Sequence, residues 1–201
     1  MVTVHRGVVA LLVCGGLAFS TSGASAAASA AGRADSSTVA ARRLVTAVEE
    51  RLALAVPVAA AKRSTGAAVE DPVREAQAAD AFLSLVASAG VPEVEVRSFI
   101  QAQFEASKGV QRVLLQQWAA RPETVPRGEP PSLVTQIRPA IDAATARLAT
   151  AYVQARQVAA ASPRAWRAAV ADLLRAPTGE WRWQRDSLRT ALLPALALSR
   201  S

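Results

Sequence analysis

The stretch Arg51-Leu-Ala-Leu-Ala-Val-Pro-Val-Ala-Ala-Ala-Lys62 decides how this chain is read. Eleven positions separate its two cations. On an α-helix that separation is a net rotation of about 20° and a rise of roughly 16 Å. Both side chains therefore point the same way, three turns apart. Leu44, Val48, Arg51, Ala55, Val58 and Lys62 follow the spacing of a buried helical stripe. A cation on a buried stripe costs several kcal/mol, on the order of that for any desolvated ion, unless an anion meets it. Two sources of anion are open: Asp or Glu from neighbouring helices, or a bound ligand.

Outward from that stretch the pattern stays helical. Alanine is abundant, glycine sparse, and no alternating β-branched run is sustained. The reading is all-α, a six-helix, bundle-like single domain over 37–201. Ser36, Ser37 or Thr38 caps a first helix that reaches about Lys62, kinked at Pro57. Asp71 caps a second, with Pro72 at its first position, ending at Gly90. Arg74, Ala78, Ala81 and Leu85 share the face of it that reads as buried. The third runs from near Pro92 to about Ala120, with the stripe Ile100, Phe104, Ser107, Gln111, Leu114 and Trp118. After a Pro-rich connector, Ser132 or Thr135 caps the fourth, with Val134, Arg138, Ile141, Thr145, Leu148 and Tyr152 on one face. Ser162-Pro163 opens a fifth, and Thr178 to about Leu198 forms a sixth with Trp181 and Trp183 near its start, read as packing residues.

The N-terminus reads differently. His5 and Arg6 precede an apolar run over 7–19, and small residues follow, with cleavage positions after Ala26 or Ala30. That is the layout of a cleavable signal peptide over 1–30, which makes the mature protein secreted or periplasmic. Cys14 follows Val13 rather than a small residue, which favours ordinary cleavage over lipidation. Residues 31–36 read as a disordered leader. No later segment is apolar enough to span a membrane, so the mature form is not expected in one.

Cutting after Ala30 removes one arginine, leaving 171 of the 201 residues and lowering the formal charge from +7 to +6. The single His, Cys and Met (His5, Cys14 and Met1) all lie in the removed part. The mature chain then has no Ser-His-Asp triad, no Cys nucleophile, no disulfide and no His or Cys metal site. No metal or cofactor is expected. No basic run of five or more appears and aromatics are few, so nucleic acid is not an expected partner. There is no Gly-rich phosphate loop and no internal repeat. The chemistry left is that of Arg, Lys, carboxylates, amides and hydroxyls, which is sufficient for electrostatic catalysis.

Four helices carry polar intrusions where apolar residues belong: Arg51 and Lys62, Arg74, Ser107 and Gln111, and Arg138. Together they imply one polar cavity inside a bundle, built for a small ligand with at least two carboxylates.

These residues also carry a resemblance. Glu50-Arg51-Leu52, Pro57-Val58-Ala59-Ala60, Lys62, Asp71-x-x-Arg74-Glu75, Gln103-x-x-x-Ser107-x-x-x-Gln111 and Arg138-x-x-Ile141-Asp142 resemble the secreted, gamma subclass of AroQ-type chorismate mutases, over about Val39 to Leu148. The resemblance implies the cofactor-free, one-step rearrangement of chorismate to prephenate. It implies that Arg51 and Arg138 bind carboxylates with Ser107 and Arg74 helping. Glu75 and the backbone near Asp71 would receive the ring hydroxyl, and Lys62 and Gln111 would donate to the ether oxygen. Arg51, Lys62 and Gln111 are thus the implied catalytic residues. Homodimers are common in that subclass, so a homodimer is an implied partner state. Secreted relatives often carry glutamate at the Gln111 position and a disulfide in the C-terminal region; this chain has neither, so its tail is expected to hold by packing alone. The rival reading is a secreted helical protein that binds a dicarboxylate or an envelope or host partner without catalysis.

Overall fold

The computed structural model describes residues 22–175 and 182–198, so the expected apolar export run, Cys14 and Trp181 lie outside it, as does the side chain of Trp183. Among the described residues there are α-helices, short 3-10 and π turns, and no strand. The helices are α1 (Ser22–Ala53), α2 (Ala55–Thr65), α3 (Pro72–Val86), α4 (Glu93–Ala120), α5 (Arg138–Ala161), α6 (Pro163–Arg175) and α7 (Arg182–Ala197). None of the described helices is long and apolar enough to cross a membrane. The six expected helices are recovered, with the first divided into α1 and α2.

That division follows from Pro57. Its ring crowds the carbonyl four residues back, on Ala53, and offers it no N–H. The helix is interrupted at Leu54, whose N–H bonds back only three residues, to Arg51 O at 3.3 Å. It resumes at once, with Val58 N–H on Leu54 O at 3.2 Å, so the stripe stays in phase. Leu44, Val48, Arg51, Ala55 and Val58 are all buried, and Lys62 is half-buried.

The helix starts earlier than expected. Residues 31–36, read as a disordered leader, are helical, and α1 extends back to Ser22. Ser36 and Thr38 do not cap it; their hydroxyls donate to the carbonyls of Gly32 and Ala34, one turn back. In an alanine-rich stretch that back-bonding competes with capping, and helix propensity decides. Residues 28–36 remain exposed, and core contact begins at Ser37.

Elsewhere the caps are as read. Asp71 accepts the Arg74 N–H at 3.1 Å, with Pro72 at the first position of α3. Ser132 accepts the Thr135 N–H, and a π turn over Leu133–Ile137 leads into α5. The wide turn sits just before Pro139, which supplies no N–H to the preceding turn.

α1 packs on α5 and α6, and α4 on α7, α2 and α3. The centre is aromatic: Phe99 and Tyr152 stack with ring centres 4.5 Å apart, and Phe82 meets both. The buried face of α3 is Ala79, Phe82 and Val86, rather than the expected Arg74, Ala78, Ala81 and Leu85. Leu85 is 51% exposed. Likewise Val134 is exposed, and Ile137 takes the buried place at the start of α5.

The C-terminal helix is held by more than packing. Leu188, Ala191, Leu192, Ala195 and Leu198 are buried. Gln103 Nε2 also donates to Ala191 O at 2.7 Å, and Trp166 Nε1 to Ala195 O at 2.8 Å. The second bond adds to the long one, 3.4 Å, that Ala195 O accepts from Leu198 N–H in the last turn.

Candidate active site

A cavity of about 620 Å³ opens between α2, α3, α4 and α5, capped by the end of α1. Arg51, Lys62, Asp71, Arg74, Glu75, Ser107, Gln111 and Arg138 all line it. The face of α3 that patterned as core, with Ala78, Ala81 and Leu85, is its wall. Val58, Phe104, Ile137 and Ile141 supply apolar surface around the polar groups.

Arg51 ends α1 and is 9% exposed. Nη1 donates to Gln103 O at a long 3.4 Å, and the guanidinium lies over the Phe104 ring. Its Nε has no hydrogen-bond partner. Burial lowers its pKa to about 10, still far above neutrality, so the charge remains.

Lys62 lies in the last turn of α2, where Gly66 at φ 70° turns the chain back across it. A left-handed residue is needed there, and glycine takes that conformation without strain. The turn brings Val69 O to 2.7 Å from Lys62 Nζ. That is one acceptor for three N–H groups. Desolvation lowers the Lys62 pKa, opposed by Asp71, Glu70 and Glu75 and reinforced by Lys108.

On α4, one turn apart, Gln111 Nε2 donates to Ser107 Oγ at 3.1 Å. Gln111 is 5% exposed, and its Oε1 is buried without a partner. Such an orphan acceptor costs about 1–3 kcal/mol. Arg74 reaches toward Asp142 at 3.8 Å and donates to Gln77 Oε1 at 3.4 Å, half-exposed at the rim. Arg138, at the start of α5, is exposed and makes no ion pair among the described residues.

Sequence reasoning missed Lys108, which follows Ser107 and also lines the cavity, 3.1 Å from Glu75 Oε2. Its place beside the stripe reads as an outward charge, and nothing local announces a partner on another helix. It also passed over Asp142 as a lining residue.

The two open sources of anion can now be separated. The lining carries five cations (Arg51, Lys62, Arg74, Lys108, Arg138) and three carboxylates (Asp71, Glu75, Asp142), a net charge of +2. Lys108 pairs with Glu75, and Arg74 leans on Asp142. Arg51, Lys62 and Arg138 meet no carboxylate of the protein among the described residues. A ligand with two negative charges fits that surplus, and the apolar patches suit a carbon ring between them.

Comparison with known proteins points the same way. The family model described as chorismate mutase type II matches residues 39–112. The crystal structure of chorismate mutase from Burkholderia thailandensis is similar at 32% identity and TM-score 0.68, covering 78% of this chain and 98% of that one. That of chorismate mutase from Burkholderia phymatum is similar at 25% identity and TM-score 0.64, covering 79% and 97%. The secreted chorismate mutase from Yersinia pestis shares the fold at 17% identity and TM-score 0.61, covering 76% and 94%. No curated protein is similar enough in sequence to match.

Proposed function

The chain belongs to the chorismate mutase family, and from that premise we propose how its cavity converts chorismate to prephenate. The reaction is a one-step rearrangement: the ether C–O bond breaks as a C–C bond forms, with no covalent intermediate. Negative charge grows on the ether oxygen as that bond lengthens. A catalyst therefore needs donors that strengthen at that oxygen and a site that holds the substrate folded.

In this reading Arg51 and Arg138 bind the two carboxylates, with Arg74 and Ser107 assisting. Ser107 Oγ accepts from Gln111, so its own O–H is free to donate to a carboxylate oxygen. Gln111 Nε2 has a second hydrogen, which it offers to the ether oxygen. Lys62, with two N–H groups to spare beyond the Val69 carbonyl, gives a charged hydrogen bond to the same atom. Glu75 and the backbone at Asp71, on the first turn of α3, receive the ring hydroxyl. The observation that carries this reading is the surplus: a lining of net charge +2, on which Arg51, Lys62 and Arg138 form no ion pair with a carboxylate among the described residues.

The test is direct. Purified protein is mixed with chorismate, and loss of the substrate's ultraviolet absorbance is followed against spontaneous decay. Substrate loss at the spontaneous rate would remove the catalytic reading and leave a dicarboxylate-binding protein.

Export through a signal peptide over 1–30 belongs to the same reading. It is supported by the apolar run over 7–19 and by the exposure of residues 28–30, just before the later cleavage position. The mass of the protein recovered outside the cytoplasm tests it. A homodimer is the assembly the reading expects, and light scattering of the purified chain tests that.

A further inference from the structure

Lys108 is the one cation of the cavity tied firmly to a carboxylate of the cavity wall. Its ammonium lies 3.1 Å from Glu75 Oε2 and 2.8 Å from Glu105 Oε1. Its side chain is 12% exposed, against 22% for Glu75 and 45% for Glu105. The bond to Glu105 comes first among the causes that hold its pKa above the ordinary lysine value, with Glu75 adding to it, so it is charged throughout the working range.

That geometry has two consequences for Glu75. One of its oxygens is committed to Lys108, which fixes the carboxyl's rotation and leaves Oε1 to meet a ligand. The neighbouring cation also cancels the charge that a dianionic substrate would otherwise meet on entering. Without Lys108 the lining falls from +2 to +1, short of the dianion by one charge.

We propose that Lys108 is a positioning residue for the reaction: anchored on Glu105, it holds Glu75 as the aimed carboxylate that receives the substrate's hydroxyl and balances the cavity for a dianion. The assignment rests on the reading of Glu75 as that hydroxyl's acceptor. Lys108 itself touches no reacting atom, so its loss weakens substrate binding more than turnover.

The experiment is a double-mutant cycle on the full chain with chorismate as probe. Lys108→Met raises KM about tenfold, the loss expected for one charge-assisted hydrogen bond, with kcat within about threefold of wild type. Lys108→Arg, which keeps the charge, recovers most of the loss. In a Glu75→Gln background, Lys108→Met adds less than about twofold, because the group it acts through is gone. Circular dichroism checks that each variant is folded, and Lys108→Gln takes the place of Lys108→Met should the latter not fold. A wild-type KM in Lys108→Met overturns the proposal, as does an undiminished tenfold rise in the Glu75→Gln background. Wild-type kinetics in Glu75→Gln itself would instead strike the reading of Glu75 on which the proposal stands.

Discussion

The guanidinium carbon of Arg51 lies 5.3 Å from the centre of the Phe104 ring, and Arg51 Nε has no hydrogen-bond partner. A buried cation held only by a ring face and one long bond to a carbonyl is poorly compensated. Burial lowers its pKa to about 10, well below the ordinary arginine value, which corresponds to about 3 kcal/mol of destabilisation of the charged form.

Arg51→Met should therefore stabilise the ligand-free protein while disabling it. Methionine fills similar volume and packs well on Phe104. Replacing an uncompensated buried charge commonly gains about 1–3 kcal/mol, or several degrees in Tm for a chain of this size. Losing the carboxylate-binding fork should lower kcat/KM by about 10² or more. The sign of the pH effect is fixed: folded Arg51 binds its proton less tightly than unfolded, so the penalty is full below pH 10 and fades as pH rises toward the ordinary arginine value. The stability gap between variant and wild type should narrow over that range. Thermal melts at neutral and alkaline pH check both parts, and a lower Tm for Arg51→Met would count against a ligand-directed charge.

Lys62→Ala should lower turnover by roughly 10²–10³, the usual loss for one transition-state donor. Its lowered pKa, caused first by desolvation, gives the wild-type enzyme an alkaline limb. Activity should fall as Lys62 loses its proton below the ordinary lysine value of 10.5. Asp71 is foremost among the groups opposing that shift, so Asp71→Asn should move the limb to lower pH still. A pH–rate profile reads both; a limb that does not move in Asp71→Asn denies the coupling.

The polar half of this site was legible from periodicity, because a helix fixes which residues share a face. Arg51 and Lys62 are three turns apart on one stripe, and the kink at Leu54 leaves that phase intact. Periodicity does not say what a stripe faces. Ala78, Ala81 and Leu85 pattern as core, yet they line the cavity, since a pocket wall and a core seam use the same apolar residues. Lys108 was hidden for a different reason: its partner Glu75 is on α3, and no local rule joins them. The start of α1 is not legible because Ser36 and Thr38 are equally suited to a cap and to bonding back within a helix.

Trp166 anchors the C-terminal helix in place of a covalent link. It is fully buried, and its Nε1 holds Ala195 O at 2.8 Å. Trp166→Phe removes the donor and part of the ring. It should cost about 1–3 kcal/mol, from the cavity and from the loss of the shorter of the two bonds to Ala195 O, the longer one from Leu198 N–H remaining, and lower Tm by several degrees. Because no described residue of α7 lines the cavity, kcat at 25 °C should change less than about threefold. Thermal unfolding with a parallel assay separates the two effects; an unchanged Tm would mean α7 is held elsewhere.

Gln111 makes the most specific prediction about chemistry. An amide donates to the ether oxygen without needing a proton, so wild-type activity should stay nearly flat from about pH 5 to 8, a range well above a normal Glu pKa. Gln111→Glu changes the rule. The new carboxyl would sit 5% exposed, in a place where Oε1 now finds no donor, so burial should raise its pKa. Only the protonated form can donate to the ether oxygen; the carboxylate would repel the charge growing there. The variant should approach wild-type turnover at about pH 5 and lose most of it by pH 8, as the proton leaves. Circular dichroism at each pH keeps unfolding apart from titration. A variant as flat as wild type would mean that position 111 does not contact the breaking bond, and a steep fall in the wild type would mean that some other group must be protonated.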